Sequence, residues 1–241
     1  MQKLMDWKDS KDRKPLILWG ARQVGKTWLL MDFGKRCFAD CLYISFYNNH
    51  KDAAVFEQDY DTKRIIQTLE VQHHIKIKAH ETLIIFDEVQ NAPKVLESLK
   101  YFCEECPEYA VVAAGSLLGV SIHEGVSFPV GKVNEIHLYP MSLEEFLRSL
   151  GEDGLADLLS GRDAGNPLLS DLRNDFLPFL RDYFFVGGMP AAVKKFAESR
   201  NYDAVRSVQN EIISQYEGDF GKHVEPAMLP RIRMTWHALP M

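Results

Sequence analysis

Gly20-Ala21-Arg22-Gln23-Val24-Gly25-Lys26-Thr27 is the stretch on which the reading of this 241-residue chain turns. Its spacing, G-x-x-x-x-G-K-[ST], is that of a loop that cradles phosphate. The flanks suit that role. Pro15-Leu16-Ile17-Leu18-Trp19 before it reads as a short buried strand. Lys26 to Arg36 after it reads as a helix, with Trp28, Leu29, Leu30 and Phe33 in apolar positions. Strand, glycine loop and helix N-terminus make an anion trap, because loop N–H groups and the positive end of the helix dipole point at the same place. Gly20, Ala21, Arg22, Gln23, Val24, Gly25, Lys26 and Thr27 are therefore the expected nucleotide-binding residues. Lys26 would reach the β- and γ-phosphates, and the Thr27 hydroxyl would ligate Mg²⁺.

Outward from the loop, strands alternate with helices. Leu42-Tyr43-Ile44-Ser45-Phe46 reads as a second strand and Asp61 to Gln72 as a helix carrying Ile65, Ile66 and Leu69. Thr82-Leu83-Ile84-Ile85-Phe86-Asp87-Glu88 is apolar on both faces, as a central parallel strand must be. Lys94 to Cys106 looks helical, and Ala110 to Ser116 is another buried strand with a polar tip. Val133 to Leu138 alternates, which suits an edge strand. This order predicts an α/β fold with a central parallel sheet.

Beyond Pro140 the pattern becomes helical. Ser142 and Glu145 form a capping box opening a helix through Leu150. Asp153 to Pro167 reads as a connector, and Leu172 to Val186 as a helix bent at Pro178. Gly187-Gly188 stops that helix, Pro190 starts the next, and Tyr202 to Tyr216 is a further helix. The expected division is residues 1–139 for the α/β core and 140–241 for a helical, lid-like region. The apolar ending (Ile232, Trp236, Leu239) reads as a cut through a longer protein.

Composition sets limits on function. A hydrophobic fraction of 46% and a charged fraction of 26% belong to an ordinary globular protein. The net charge of −6 gives no global basic field for nucleic acid, although local patches remain open. No apolar run is long enough for a bilayer, and Met1 to Trp7 lacks a secretory apolar region, so a cytoplasmic setting without membrane contact is expected. Cys37, Cys41, Cys103 and Cys106 include one C-x-x-C, but the helical and apolar context favours free thiols over zinc. His73-His74 reads as a solvated helix end.

The strand ends carry the chemistry, since parallel sheets bind ligands beyond the carboxyl ends of their strands. Asp87 would hold Mg²⁺ through water or Thr27, and Glu88 would polarise the water attacking the γ-phosphate. Ser116, at the tip of its strand, is a candidate sensor of the γ-phosphate or of that water. The expected catalytic residues are thus Glu88, Lys26 and Ser116, and the metal-binding ones Thr27 and Asp87. No second substrate pocket of the kind a small-molecule kinase needs is legible, so hydrolysis is favoured over transfer. A nucleotide switch that scarcely turns over and a DNA-linked ATPase are the alternatives.

These motifs, with several downstream stretches, resemble a widespread family of prokaryotic AAA-superfamily ATPases that join an N-terminal ATPase domain to a C-terminal domain of unknown function. The likeness is carried by Gly20–Thr27, Phe86-Asp87-Glu88-Val89-Gln90, Ala113 to Gly119, Ser127 to Lys132, Leu138 to Ser142, Glu145-Phe146-Leu147, Gly187 to Pro190 and Asp219 to His223. It runs through essentially the whole chain. The resemblance implies an AAA/ASCE-type P-loop core, with Lys26 and Thr27 in the Walker A motif, Asp87 and Glu88 in Walker B, and Ser116 at the sensor position. It also implies ATP and Mg²⁺ as cofactors and a chain lacking most of its C-terminal domain. Many members carry Gly-Arg where this chain has Gly131-Lys132, and a lysine keeps the charge without the bidentate fork. AAA-type modules often complete their sites with an arginine from a neighbouring copy. A homo-oligomer and an unidentified protein partner are therefore expected, with Arg162, Arg231 and Arg233 as finger candidates.

Overall fold

A strand apolar on both faces must be covered on both faces, and that requirement organises the first part of the molecule. The computed structural model describes residues 1–116, 128–162, 172–223 and 227–238. Among them the chain forms two compact units, residues 1–138 and 139–241.

The first unit is a five-stranded sheet of β1 (Leu16–Gly20), β2 (Asp40–Ser45), β3 (Thr82–Asp87), β4 (Ala110–Gly115) and β5 (Asn134–Leu138). The strands lie in the order β2-β3-β4-β1-β5, and every neighbouring pair is parallel. The expected edge strand, β5, is at the edge. β4 is inserted between the loop-bearing β1 and the Asp87-bearing β3. Consecutive β3 side chains go to opposite sides, as the two-residue period demands. Ile84 and Phe86 join the core with Phe56, Leu69, Leu99 and Phe102. Leu83 and Ile85 join the other core, with Leu4, Trp7, Leu30 and Phe33.

The helices of this unit are α1 (Gln2–Asp9), α2 (Lys26–Cys37), α3 (His50–Glu57), α4 (Thr62–His73) and α5 (Pro93–Glu105). The expected helices are all present, and two more appear. α1 escaped the sequence reading because only Leu4 and Trp7 are buried, too few for a visible period. Tertiary contacts hold it instead, with the Trp7 indole donating to the Lys14 carbonyl at 2.8 Å. α3 begins at Asn49, whose side chain accepts from the Asp52 amide. Two readings need correction. Trp28 is 70% exposed, because the face of α2 opposite Leu30 and Phe33 has no element over it among the described residues. His73 ends α4 but is partnered, its Nε2 lying 3.1 Å from the carboxylate of buried Asp52.

The second unit is helical: α6 (Leu143–Ser149), α7 (Asp153–Leu159), α8 (Arg173–Val186), α9 (Pro190–Ser199), α10 (Tyr202–His223) and α11 (Leu229–His237). Ser142 and Glu145 form the expected capping box on α6. Part of the expected connector after Asp153 is instead α7. Its glycine and polar residues resemble a loop, yet Ala156 and the leucines beside it pack on Leu147 and Phe176. Residues 163–167 of that stretch lie outside the described residues. Pro178 sits within α8, Gly187 follows its end and Pro190 opens α9. α10 runs beyond the expected Tyr216, and α11 was not foreseen.

Candidate functional site

β1 ends at Gly20, and the loop turns immediately into α2. Gly20 is set by crowding: a Cβ there would stand 2.6 Å from the backbone oxygen of Leu138 on β5. Further along, Gln23 (φ 63) and Gly25 (φ 96) take left-handed conformations. Interrupting the chain's handedness in this way turns successive N–H groups into one concavity, an anion nest at a helix N-terminus. Lys26 reaches back across it, its ammonium donating to the carbonyls of Gly20 at 2.8 Å and Ala21 at 2.9 Å. Lys26 is 8% exposed, and burial lowers its pKa. Glu88 and Asp87 pull it back up, and Arg22 adds to the lowering.

Two residues brought close by the fold stand at the mouth of the loop. The Thr27 hydroxyl donates to Asp87 Oδ2 at 2.6 Å. Asp87 is only 2% exposed, so its carboxylate needs donors. It accepts two more, from the Glu88 amide at 2.9 Å and the Tyr43 hydroxyl at 3.0 Å. Burial and then the charge of Asp87 push the Tyr43 hydroxyl up to about 12, which keeps it protonated as a donor. The sequence reading did not single out Tyr43. Its role depends on strand register: Tyr43 pairs with Ile85, and Asp87 follows two residues later on the same side of the sheet.

Glu88 is the first residue beyond β3, in a left-handed conformation, and its carboxylate accepts from the Gln90 side chain. Ser116 follows β4 and is half-buried. Since Gly115 pairs with Trp19, Ser116 stands level with Gly20 at the start of the loop. The insertion of β4 between β1 and β3 thus puts the Ser116 strand end between the loop and Asp87-Glu88. Thr27 and Asp87 offer hydroxyl and carboxylate oxygens, the hard donors that Mg²⁺ selects, and both face one place. These residues fit that ion.

Within the first unit, Lys132 is engaged away from this cluster. Lys132 pairs with Glu104 of α5 at 2.9 Å. That bond raises the Lys132 pKa and lowers that of Glu104. Arg162, Arg231 and Arg233 are exposed residues of the helical unit. The four cysteines are free, and burial raises the Cys41 thiol to about 11. No group of three or more His, Cys, Asp or Glu suited to a metal occurs among the described residues. No described helix is long and apolar enough to cross a membrane.

Comparison with known proteins agrees with the architecture. The family model described as an AAA domain matches residues 12–147, and a model for a domain of unknown function matches residues 178–241. No curated protein sequence matches the chain. Among solved structures, a Walker-type ATPase of Pyrococcus abyssi is similar at 15% identity and a TM-score of 0.51, over 97% of this chain and 75% of that one. Drosophila ORC bound to DNA matches at 16% identity and a TM-score of 0.49, over 89% of this chain and 66% of that one. The chain therefore also spans just under two thirds of the latter protein. With its parallel sheet, inserted β4 and loop-to-helix junction, and with the AAA model covering more than half its length, this chain belongs to the AAA domain family.

Proposed function

We propose that this protein binds ATP with Mg²⁺, hydrolyses it slowly, and uses the nucleotide state to switch the helical residues 140–241 attached to the core of residues 1–139. The observation that carries this reading is the Thr27–Asp87 hydrogen bond, which joins the first turn after the phosphate loop to the end of β3. The loop from Gly20 to Thr27 would hold the phosphate chain on its N–H groups, and Lys26 would leave the loop carbonyls for the β- and γ-phosphates. Thr27 and Asp87 would hold Mg²⁺, which when bound offsets phosphate charge. Tyr43 supports this by fixing the Asp87 carboxylate.

Glu88 would take a proton from a water as its oxygen bonds to the γ-phosphorus. The bond from that phosphorus to the β-bridging oxygen breaks, so ADP and phosphate leave. The proton on Glu88 then passes to solvent. Ser116, level with the loop, would sense the γ-phosphate.

The route to the helical region is covalent and short. Leu138, the last residue of β5, pairs with Gly20, the first residue of the loop. A shift of the loop on binding or release of phosphate is therefore felt one residue before the chain enters the helical unit at Tyr139. A second copy of this chain is the proposed source of an arginine for the transition state, with Arg162, Arg231 and Arg233 as candidates. An unidentified protein would read the switch. The net charge of −6 gives no support to nucleic acid as that partner.

Phosphate release and ATP-analogue binding, measured for wild type, Glu88→Gln and Lys26→Ala, test this reading. Glu88→Gln should retain binding and lose turnover by about 100-fold or more, while Lys26→Ala should lose binding. Unchanged hydrolysis in Glu88→Gln would remove the catalytic assignment. Binding without any phosphate release in wild type would leave a nucleotide-held switch. Stimulation by added DNA that falls with salt would favour a DNA-linked ATPase.

A further inference from the structure

Glu88 leaves β3 with φ 56 and ψ 40, a conformation side-chain-bearing residues seldom adopt. It opens a 3₁₀ turn, Val89–Asn91, that folds back toward the strand end. The turn closes with two backbone bonds, Asn91 N–H to the Glu88 carbonyl and Ala92 N–H to that of Val89, each at 3.0 Å, and the Asn91 side chain also donates to the Glu88 carbonyl at 3.3 Å. Val89, 1% exposed, anchors it in the core. None of this needs a long amide side chain at position 90. Yet Gln90 is only 3% exposed, and its Nε2 donates to Glu88 Oε2. Its other amide atom is pressed against β4, where a Cβ on Gly115 would come within 3.0 Å of Gln90 Oε1 and 3.2 Å of Val89 Cγ2. The bare backbone of Gly115 makes room for the amide, and the residue after it is Ser116.

We propose that Gln90 is a positioning residue that locks the Glu88 carboxylate and references it to the tip of β4. A glutamate at a strand end has three rotatable bonds, and a general base must sit within hydrogen-bond reach of the water it deprotonates. Engagement of Oε2 by the Gln90 amide fixes the carboxylate plane and leaves Oε1 as the oxygen that takes the proton. The contact of the same amide with Gly115 makes the base move with β4. A displacement at Ser116 is thereby passed to Glu88 through one side chain. This inference rests on Glu88 being the water-activating base.

The test is a double-mutant cycle on the full chain: wild type, Glu88→Gln, Gln90→Met and the pair, each assayed for single-turnover phosphate release, ADP binding and thermal midpoint. Methionine keeps the length and volume of Gln90 and removes the donor. Gln90→Met should lower kcat by about 10- to 100-fold while leaving ADP affinity within about twofold. In the Glu88→Gln background the same change should cost nothing further, because the group it positions is gone. Turnover of Gln90→Met within about twofold of wild type overturns the proposal. So does an equal loss in both backgrounds, which would mark a packing role. If Gln90→Met does not fold, Gln90→Leu, which is uncharged and lacks the N–H donors, is read by the same criteria. Full activity of Glu88→Gln overturns the parent reading and this one together, whereas loss in Glu88→Gln with none in Gln90→Met overturns this one alone.

Discussion

Two helices of nearly equal length show how differently the two units are held. α5 has 13 residues and buries Val95, Leu96, Ser98, Leu99 and Phe102 against the sheet side of its unit. α8 has 14 residues and buries only Phe176 and Val186, while Phe184 stands exposed. α11 buries none. The reason is geometric. A sheet is a broad apolar surface that covers a whole stripe of a helix, whereas helices that meet only other helices share narrower seams. At about 1.5–3 kcal/mol for each large apolar side chain fully buried, the difference amounts to several kcal/mol per helix. Catalytic groups need the stiff kind of support, and moving parts are drawn from segments that open at lower free energy. The candidate site lies wholly on the stiff unit, and the proposed responder is the other.

The contrast can be broken by matched truncations. Phe86→Ala, at the centre of the sheet's aromatic cluster, should cost about 3–5 kcal/mol and abolish nucleotide binding together with the fold of residues 1–138. Phe146→Ala removes an equally buried ring from the helical unit, where it packs on Tyr183 and Phe196. It should loosen that unit to protease while ATP-analogue binding persists. Loss of binding in Phe146→Ala would mean that the units do not differ in this way.

A smaller effect sharpens the link between loop and β5. Gly20→Ala forces a methyl to within 2.6 Å of the Leu138 backbone oxygen and 3.0 Å of Val24 Cγ1, and the backbone oxygen cannot swing aside as the end of a long side chain could. We expect about 1–3 kcal/mol of destabilisation from the melting midpoint, and a loss of nucleotide affinity beyond what partial unfolding explains. An affinity drop that merely tracks the unfolded fraction would argue against a coupled loop. The smallest effect concerns the support under Asp87. Tyr43→Phe deletes one of three donors to a buried carboxylate and should lower stability by about 1–2 kcal/mol. A urea titration checks it, with the midpoint falling at constant m-value. An unmoved midpoint would show that Thr27 and the Glu88 amide suffice.

Much of the candidate site was legible because the residues proposed for it are local signals. The loop spacing, the apolar run ending in Asp87-Glu88 and the polar tip at Ser116 each occupy a few consecutive residues. Tyr43 and Gln90 were not singled out, since a tyrosine in an alternating strand and a glutamine after an acidic pair look unremarkable until their neighbours are known. Trp28 misled in the opposite direction, an apolar residue on a helix face that nothing described covers. α1 and α7 were missed because two or three buried residues in a polar stretch leave no readable period.

The sequence by itself determined the phosphate loop, the buried central strands and the change from alternating elements to helices at Pro140, because each follows from short-range periodicity and turn chemistry. Only the tertiary structure decided that β4 lies between β1 and β3, that Thr27 meets Asp87, and that Leu138 stands against Gly20. Strand order and register are set by which apolar faces find each other across long stretches of chain, a global optimum that no local window contains.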